Sequence, residues 1–282
     1  MLAERAYAKV NLTLDVNFKR PDGYHDIDMV MQTIDLSDLI WLEEISGGGI
    51  KIESNVSYLP LDKRNLAYAA TEVFRQETGI TTGVRIRIDK QIPVAAGLGG
   101  GSADAAAVLR GLNKLWKTGL STDNLAEMGA SVGSDVPFLV YEGCGVATGR
   151  GEQVRLVRHP TKAWIVLVRP TVFVSTAAIY GACESFQTRL EPSSKAMVEA
   201  LKQGDLDRTA GLISNDLTPV AERLYPEIAE MRERLEGVTR STVYMSGSGP
   251  TLFCLAPNET VAHRYYNAIN GFAKEVYLSR FI

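Results

Sequence analysis

The sequence predicts an α+β fold organised in two domains. Its 282 residues exceed what one minimal core needs, and 45% of them are hydrophobic, which is ample for a packed interior. Strand and helix patterns follow one another without the strict β-α order of a doubly wound sheet. Gly149, Gly151 and Pro160 punctuate the chain near its middle. We therefore predict one domain over residues 1–155 and a second over residues 156–282.

The elements of the first half follow from the spacing of its apolar residues. Apolar residues alternate with polar ones over residues 5–16, and this period of two predicts a strand. Apolar residues at helical spacing predict a helix that ends at Gly79, since glycine readily terminates helices. The elements predicted after the first strand are a turn over 19–25, strands over 29–34 and 39–43, a helix over 65–79, a strand over 84–90 and a helix over 103–116.

The second half continues the same mixture of elements. A fully apolar run over residues 164–168 predicts a buried strand. The elements predicted after it are helices over 194–204, 209–215 and 226–235, strands over 243–245 and 251–255 on either side of a glycine turn, a helix over 260–272 and a strand over 275–281. This irregular order is typical of an α+β fold.

Composition and charge argue against several classes of protein. The net charge of −3 argues against binding to nucleic acid, which usually requires a basic surface, and leaves room for a local basic site for a phosphorylated ligand. The cysteines, Cys144, Cys183 and Cys254, are too far apart for a metal motif or a disulfide framework. The sequence shows neither a signal peptide nor an apolar run of ~20 residues. We expect a soluble, cytoplasmic protein, a monomer or a homodimer, that binds no nucleic acid and no membrane.

A glycine-rich loop lies between a predicted strand and a predicted helix. It consists of Pro93, Val94, Ala95, Ala96, Gly97, Leu98, Gly99, Gly100, Gly101, Ser102 and Ala103. Its clustered glycines carry an entropic cost that a chain tolerates where a ligand approaches the backbone. The free N–H groups and the dipole of a helix N-terminus attract anions, which favours a phosphate site. A flexible loop or a close packing contact is the alternative.

The spacing of these glycines argues against two common phosphate motifs. A Walker loop ends in Gly-Lys-Ser/Thr, and no lysine follows the glycines here. If the dinucleotide fingerprint Gly-x-Gly-x-x-Gly starts at Gly97, its last position falls on Ser102. A glycine-loop oxidoreductase is therefore disfavoured, and a phosphate loop of another type is expected.

Three segments resemble the motifs of the GHMP kinases, the family of galactokinase, homoserine kinase and the mevalonate kinases. Residues 8–12 resemble its first motif, residues 93–103 the second and residues 246–251 the third. They occur in the order of that family across most of the chain. The resemblance implies a two-domain GHMP kinase fold, with an ATP-binding N-terminal domain and a smaller C-terminal substrate-side domain. It also implies ATP and Mg²⁺ as cofactors, the metal being held largely by phosphate oxygens and water.

Two further segments, residues 20–25 and 133–138, resemble one GHMP subfamily. Its members phosphorylate the 2-hydroxyl of a cytidine-diphosphate-linked methylerythritol on the non-mevalonate route to isoprenoid precursors. Gly100 and Gly101 stand where most GHMP kinases have small polar residues, a departure that this subfamily shares. The alternatives are another GHMP kinase, of the homoserine or mevalonate type, and a non-catalytic nucleotide-binding module.

The resemblance implies catalytic roles for Asp135 and Lys9. Asp135 would orient or deprotonate the acceptor hydroxyl, and Lys9 would stabilise the charge of the transferred phosphoryl group. The alternative for Asp135 is a helix N-cap or a turn, the usual position of aspartate near glycine and proline. The alternative for Lys9 is a solvated side chain on an edge strand.

The resemblance also implies residues that bind the substrate. Tyr24 would stack on the cytosine, His25 would hydrogen-bond the base, and Tyr180 would close the other face of the base. Asn11, on the first strand, and Thr176 would complete this site. The alternative for Tyr180 is a tyrosine that packs on a helix surface.

The adenine of ATP is expected beside Asn65 and Leu66, which match family residues near that base. Asn65 also suits the N-cap of the predicted helix that follows it. Ser102 would contact a phosphate or Mg²⁺. Residues 246–251 would form a wall of the substrate site, whether or not they are also a turn between strands.

Overall fold

The computed structural model of the protein describes residues 1–183 and 193–282. The mixture of strands and helices confirms the predicted α+β class. The chain forms two compact units, which are described in turn. Unit 1 comprises Met1–Ala8, Ser37–Val94 and Gly99–Glu142, and unit 2 comprises Lys9–Leu36, Ala95–Leu98 and Gly143–Ile282. The division into domains at residues 155 and 156 stays a prediction.

Strands and helices follow one another irregularly along the chain. The strands are β1 (Leu2–Lys19), β2 (His25–Ile45), β3 (Ile50–Ser54), β4 (Gly83–Asp89), β5 (Cys144–Gly149), β6 (Gln153–Leu156), β7 (Trp164–Arg169), β8 (Ser214–Asn215), β9 (Tyr244–Met245), β10 (Leu252–Ala256) and β11 (Glu275–Arg280). The helices are α1 (Leu66–Thr78), α2 (Gly100–Leu115), α3 (Thr122–Val132), α4 (Val136–Tyr141), α5 (Thr176–Gly181), α6 (Ser193–Gln203), α7 (Leu206–Gly211), α8 (Thr218–Leu224), α9 (Pro226–Thr239) and α10 (Glu259–Asn270). Within the described parts of the chain, none of these helices combines the length and the apolar composition that crossing a bilayer requires.

Unit 1 combines a small sheet with a layer of helices. Residues 39–45 of β2 pair antiparallel with β4, and β3 pairs in parallel with β4. Val84, Ile86 and Ile88 are buried and alternate with more accessible residues, which confirms the predicted strand with one solvated face. Helix α2 contacts α1, α3 and α4. The helix that follows the glycine loop is therefore held on several sides by its neighbours.

Unit 2 contains two sets of paired strands. In the first set, β5 pairs antiparallel with residues 27–32 of β2 and with β6, while β1 pairs in parallel with β8. In the second set, β7 lies between β10 and β11, and β9 pairs with β10. Residues 165–168 of β7 are buried, which confirms the strand predicted from this apolar run. Helix α10 packs on the second sheet through β7, β10 and β11.

The strands predicted over residues 29–34 and 39–43 are one continuous strand, β2. The predicted interruption fell where polar residues break the apolar pattern. Asp38 is nevertheless buried, and its Oδ1 accepts hydrogen bonds from the backbone N–H groups of Gln91 and Ile92 at 2.5 and 2.8 Å. Because these bonds satisfy the carboxylate inside the unit, the chain stays extended through this polar position.

The helix predicted over residues 209–215 is wrong in its bounds. Helix α7 begins at Leu206 because Asp205 caps it, accepting the N–H of Arg208 at 2.9 Å. It ends at Gly211, and the pair Ser214–Asn215 forms β8 beside β1. The pairing with a strand far away in sequence overrides the local helical spacing.

Candidate active site

The glycine loop adopts a backbone in which the sign of φ alternates. The φ angle is +53° at Ala95, +76° at Gly97 and +70° at Gly99, and the residues between them have negative φ. Such an alternation turns successive N–H groups toward a common side, the arrangement that binds anions. The loop therefore has the backbone geometry that its predicted role requires.

Helix α2 begins at Gly100, not at Ala103 as predicted. The left-handed Gly99 is its N-cap, and the N–H of Ala103 closes the first turn onto the carbonyl of Gly99 at 2.8 Å. The N–H groups of Gly100, Gly101 and Ser102 come before that bond, so they have no acceptor within the helix. The predicted anion site thus includes the first turn of α2 as well as the loop.

Within unit 2, parts of the three predicted motifs contact one another through their backbones. The N–H of Lys9 donates to the carbonyl of Leu98 at 3.0 Å. The hydroxyl of Ser246 donates to the carbonyl of Gly97 at 3.0 Å. A Cβ atom on Gly97 would overlap the carbonyl oxygen of Ser246 and would lie 3.0 Å from that of Gly249. The turn at residues 246–251 is therefore packed directly on the glycine loop.

Lys9 is buried in β1, with only 4% of its surface exposed, which excludes the solvated lysine as an alternative. Its Nζ donates to Oδ1 of Asn11 at 2.8 Å, which confirms that the two side chains share one face of the strand. The Nδ2 of Asn11 in turn lies 3.2 Å from the sulfur of Met29. Nζ also lies 3.5 Å from where a Cβ of Gly247 would be. The ammonium group is thus placed beside the turn that packs on the glycine loop.

Asp135 occupies the N-cap position of α4 but makes no capping hydrogen bond through its side chain. The structure thus confirms the N-cap position that was one interpretation of this aspartate, although its side chain does not make the capping bond. In the same unit, the hydroxyl of Ser102 lies 3.8 Å from the position that a Cβ of Gly133 would occupy. The segment that carries Asp135 thus approaches the first turn of α2. The catalytic role of Asp135 stays a prediction.

Asn65 is the N-cap of α1, which confirms one of the two interpretations of this residue. Its Oδ1 accepts the N–H of Ala67 at 3.0 Å, and its Nδ2 donates to the carbonyl of Pro60 at 2.8 Å. Leu66 lies against the first turn of α2, with its Cδ1 3.6 Å from where a Cβ of Gly101 would be. Both residues therefore border the predicted nucleotide site from within unit 1, and their contact with adenine stays a prediction.

The aromatic residues predicted to bind cytosine lie in unit 2. Tyr24 is 55% exposed, and the guanidinium of Arg150 lies over its ring at 5.1 Å from the centroid. His25 and Tyr180 are in ring contact, with centroids 5.4 Å apart and an interplanar angle of 33°. The sequence pattern did not single out Arg150. This residue lies between Gly149 and Gly151 in the turn after β5, a position from which a long side chain can reach a neighbouring ring or ligand.

His25 carries a neutral imidazole near neutral pH. Burial, reinforced by the positive charge of Lys19, lowers the pKa of this side chain. A neutral imidazole has one donor and one acceptor nitrogen, which suits hydrogen bonds to the edge of a base. Thr176, at the start of α5, has its hydroxyl 2.8 Å from that of Ser248. The predicted substrate residue is thus tied to the turn at residues 246–251.

The described side chains include no group of three or more His, Cys, Asp or Glu residues placed to hold a metal ion. Ser102 offers a hydroxyl oxygen in the first turn of α2, a hard ligand of the type that Mg²⁺ accepts beside phosphate oxygens and water.

Two family models match the chain. They are described as "GHMP kinases N terminal domain", over residues 65–143, and "GHMP kinases C terminal", over residues 197–275. Two relatives, both called 4-diphosphocytidyl-2-C-methyl-D-erythritol kinase, are similar along the whole chain. The one from Exiguobacterium sibiricum is 47% identical over 278 residues, covering 99% of this chain and 97% of that protein. The one from Bacillus velezensis is 46% identical over 281 residues, covering 100% and 97%.

Solved structures show the same relationship. A crystal structure of 4-(cytidine 5'-diphospho)-2C-methyl-D-erythritol kinase matches with a TM-score of 0.83 and 32% identity, covering 99% of both chains. A homoserine kinase from Cytophaga hutchinsonii matches with a TM-score of 0.77 and 18% identity, covering 98% of this chain and 94% of the other. At that identity, the second match shows a shared fold alone.

Proposed function

The chain belongs to the GHMP kinase family, and we propose that it uses ATP to phosphorylate the 2-hydroxyl of 4-diphosphocytidyl-2-C-methyl-D-erythritol. The observation that carries this proposal is the sequence identity of 45–47%, over 99–100% of this chain, to relatives that bear the name of that kinase. Homoserine and mevalonate kinases resemble the chain only at the level of the fold. The protein is thus a small-molecule kinase of the non-mevalonate route to isoprenoid precursors.

We assign the binding of ATP to the loop and to the first turn of α2. The alternating backbone of the loop and the free N–H groups of Gly100, Gly101 and Ser102 support phosphate binding. ATP brings Mg²⁺, which neutralises phosphate charge and is held mainly by phosphate oxygens and water. Leu66, an apolar side chain against the same turn, suits contact with the adenine ring.

We assign the chemical step to two residues. Asp135 accepts or orients the proton of the 2-hydroxyl, whose oxygen forms a new bond to the γ-phosphorus. The bond between that phosphorus and the β–γ bridging oxygen breaks, and ADP leaves with the electron pair. Lys9 provides positive charge for the phosphoryl oxygens, and its burial strengthens this interaction because water screens it less.

We assign recognition of the acceptor to unit 2. The exposed ring of Tyr24 is suited to stack on cytosine, and the neutral imidazole of His25 to bond the edge of that base. Asn11 and Thr176 supply polar groups, and Tyr180 an aromatic face beside His25. Arg150, over Tyr24, adds a positive charge that favours an acceptor carrying a diphosphate.

A panel of acceptors tests the proposed substrate. Consumption of ATP by the purified protein should be measured with 4-diphosphocytidyl-2-C-methyl-D-erythritol, with mevalonate and with homoserine. We expect turnover with the first compound alone. Turnover with mevalonate or homoserine and none with the cytidine compound would assign the chain to another branch of the family. Nucleotide binding without any phosphorylation would identify a non-catalytic module.

Replacing Tyr24 by alanine should mainly raise KM for the acceptor. Stacking holds the ground state and the transition state alike, so kcat should change little. Loss of ~1–3 kcal/mol of stacking corresponds to a rise in KM of about 5–150-fold. Tyr24→Phe keeps the ring and should preserve KM, which makes it the matched control in steady-state assays. An unchanged KM in Tyr24→Ala would remove this residue from the substrate site.

We further propose that the protein works in the cytoplasm, where its co-substrate ATP is produced, as a monomer or a homodimer. A division into domains 1–155 and 156–282 is supported by the positions of the two family models, since one ends at residue 143 and the other begins at residue 197. Limited proteolysis of the purified chain, followed by mass analysis of the fragments, tests that boundary.

A further inference from the structure

Unit 1 contains a buried charge cluster that none of the roles above uses. Nζ of Lys90 donates to Oδ2 of Asp38 at 2.5 Å and to Oδ2 of Asp104 at 2.8 Å. The three side chains are 4%, 0% and 2% exposed. Moving charged groups from water into the protein interior is costly, and the attraction between them often does no more than offset that cost. A gain in stability therefore does not explain why the cluster is there. Its position relative to the nucleotide site suggests another role.

The cluster fixes the backbone immediately before the glycine loop. Oδ1 of Asp38 accepts the N–H groups of Gln91 and Ile92, at 2.5 and 2.8 Å. Asn55 holds the backbone of Lys90 on both sides, accepting its N–H at 2.8 Å and donating to its carbonyl at 3.2 Å. Residues 90–92, which lead directly into Pro93, are therefore anchored through both main chain and side chain.

The same cluster also fixes the backbone immediately after the loop. Asp104 lies in α2, close to its first turn. A Cβ on Gly100, the first residue of that helix, would lie 3.3 Å from Nζ of Lys90 and 3.0 Å from Cγ2 of Ile92. The ammonium thus lies against the backbone that carries the free N–H groups. One side chain, Lys90, links the entry of the loop to the start of α2.

The charges of the cluster matter because a triphosphate is expected nearby. Two ionised carboxylates around one ammonium would leave a buried negative charge, which would repel the phosphates. Asp38 accepts three hydrogen bonds, one of them from the ammonium of Lys90. Oδ1 of Asp104 is buried and has no hydrogen-bond partner among the described residues, and burial raises the pKa of this carboxyl well above its usual range. Asp104 is therefore the member suited to carry a proton.

We propose that Lys90 and Asp38 are positioning residues for the nucleotide, and that Asp104 completes their ion pair as a neutral carboxylic acid. The ion pair holds both ends of the loop so that the N–H groups of Gly100 to Ser102 keep the spacing that binds phosphate. The neutral acid of Asp104 accepts the second hydrogen bond of the Lys90 ammonium without adding negative charge. This inference rests on the proposed binding of ATP at the glycine loop.

The test compares two amide substitutions of the same size in the same cluster. Asp38→Asn removes the charge that pairs with Lys90, and we expect it to raise the dissociation constant of a non-hydrolysable ATP analogue about tenfold or more, the effect of ~1.4 kcal/mol. Asp104→Asn replaces a neutral acid by a neutral amide, and we expect nearly wild-type affinity. Calorimetry should be performed well below the unfolding temperature of each variant, and KM for the acceptor should be measured in parallel.

A merely structural cluster would give a different pattern. Both amide variants would then lower the unfolding temperature, and the folded protein would bind the analogue like the wild type, which would overturn the inference. Equal loss of affinity in both variants would overturn the neutral state of Asp104. Lys90→Met should weaken nucleotide binding as Asp38→Asn does. If the Lys90→Met variant does not fold, the comparison of Asp38→Asn with Asp104→Asn tests the inference by itself. Wild-type protein that binds no ATP analogue would instead overturn the proposed function.

Discussion

Replacing Asp135 by asparagine is expected to lower kcat by about 10²–10⁴-fold, the usual contribution of a positioned general base. The amide has nearly the shape of the carboxylate but cannot accept a proton from the 2-hydroxyl. Affinity for an ATP analogue should remain measurable, because the phosphate-binding N–H groups belong to the loop and to α2. Single-turnover kinetics with the cytidine substrate separates this chemical effect from substrate binding.

Asp123→Asn is the matched control for this prediction. Asp123 lies in the first turn of α3 in the same unit, and its carboxylate accepts the hydroxyl of Tyr141 at 2.7 Å, a bond that an asparagine oxygen preserves. Asp123→Asn removes one carboxylate, as Asp135→Asn does, and we expect its kcat to stay at the wild-type value. Near-normal turnover of Asp135→Asn would remove Asp135 from the mechanism and leave orientation of the hydroxyl to other groups.

Local signals in the sequence were sufficient where one residue and its near neighbours determine the structure. Asn65 and Gly79 bracket α1 as predicted, because a side-chain cap and a left-handed glycine at +72° act within a single turn. Lys9 and Asn11 share a strand face because the period of a strand places them there. The order of the three motifs along the chain is likewise enough to indicate the family.

Contacts between residues far apart in the sequence were not predictable in this way. Lys90 and Asp38 are 52 positions apart, and nothing local marks either as buried. Arg150 gave no signal because an arginine in a turn resembles any solvated cation until its position over Tyr24 is known. The spacing also missed β3, β5, β6, α4, α5 and α8, which are short or lie between stronger patterns.

The start of α2 shows why a glycine run is hard to interpret from sequence. Glycine has low helix propensity, so the helix was predicted to begin only at Ala103. The structure places Gly100 and Gly101 inside the first turn. A Cβ on Gly100 would be within 3.0 Å of Ile92, so close packing, and not flexibility, explains the glycine there. Tertiary packing has overridden propensity at the position where ATP is proposed to bind.

Replacing Gly97 by alanine is expected to disrupt the proposed active site more than any other change of one methyl group in the loop. The φ angle of +76° costs an alanine about 1–2 kcal/mol. The new Cβ would also overlap the carbonyl oxygen of Ser246, so the loop and the turn at residues 246–251 must move apart. A displacement of about 1 Å costs about 10²-fold in rate, and we expect kcat/KM to fall at least that far.

Gly143→Ala separates backbone strain from this overlap. Gly143 is in the same unit and has a φ of +79°, but a Cβ there would meet nothing within 4 Å. In urea unfolding, the free energy of unfolding of this control should fall by about 1–2 kcal/mol, because the substitution violates only the backbone preference of the position. Its enzymatic activity should stay nearly normal. Equal stability and equal activity of the two variants would mean that the loop accommodates a side chain at residue 97. The backbone contact with Ser246 would then not be required for holding the phosphates.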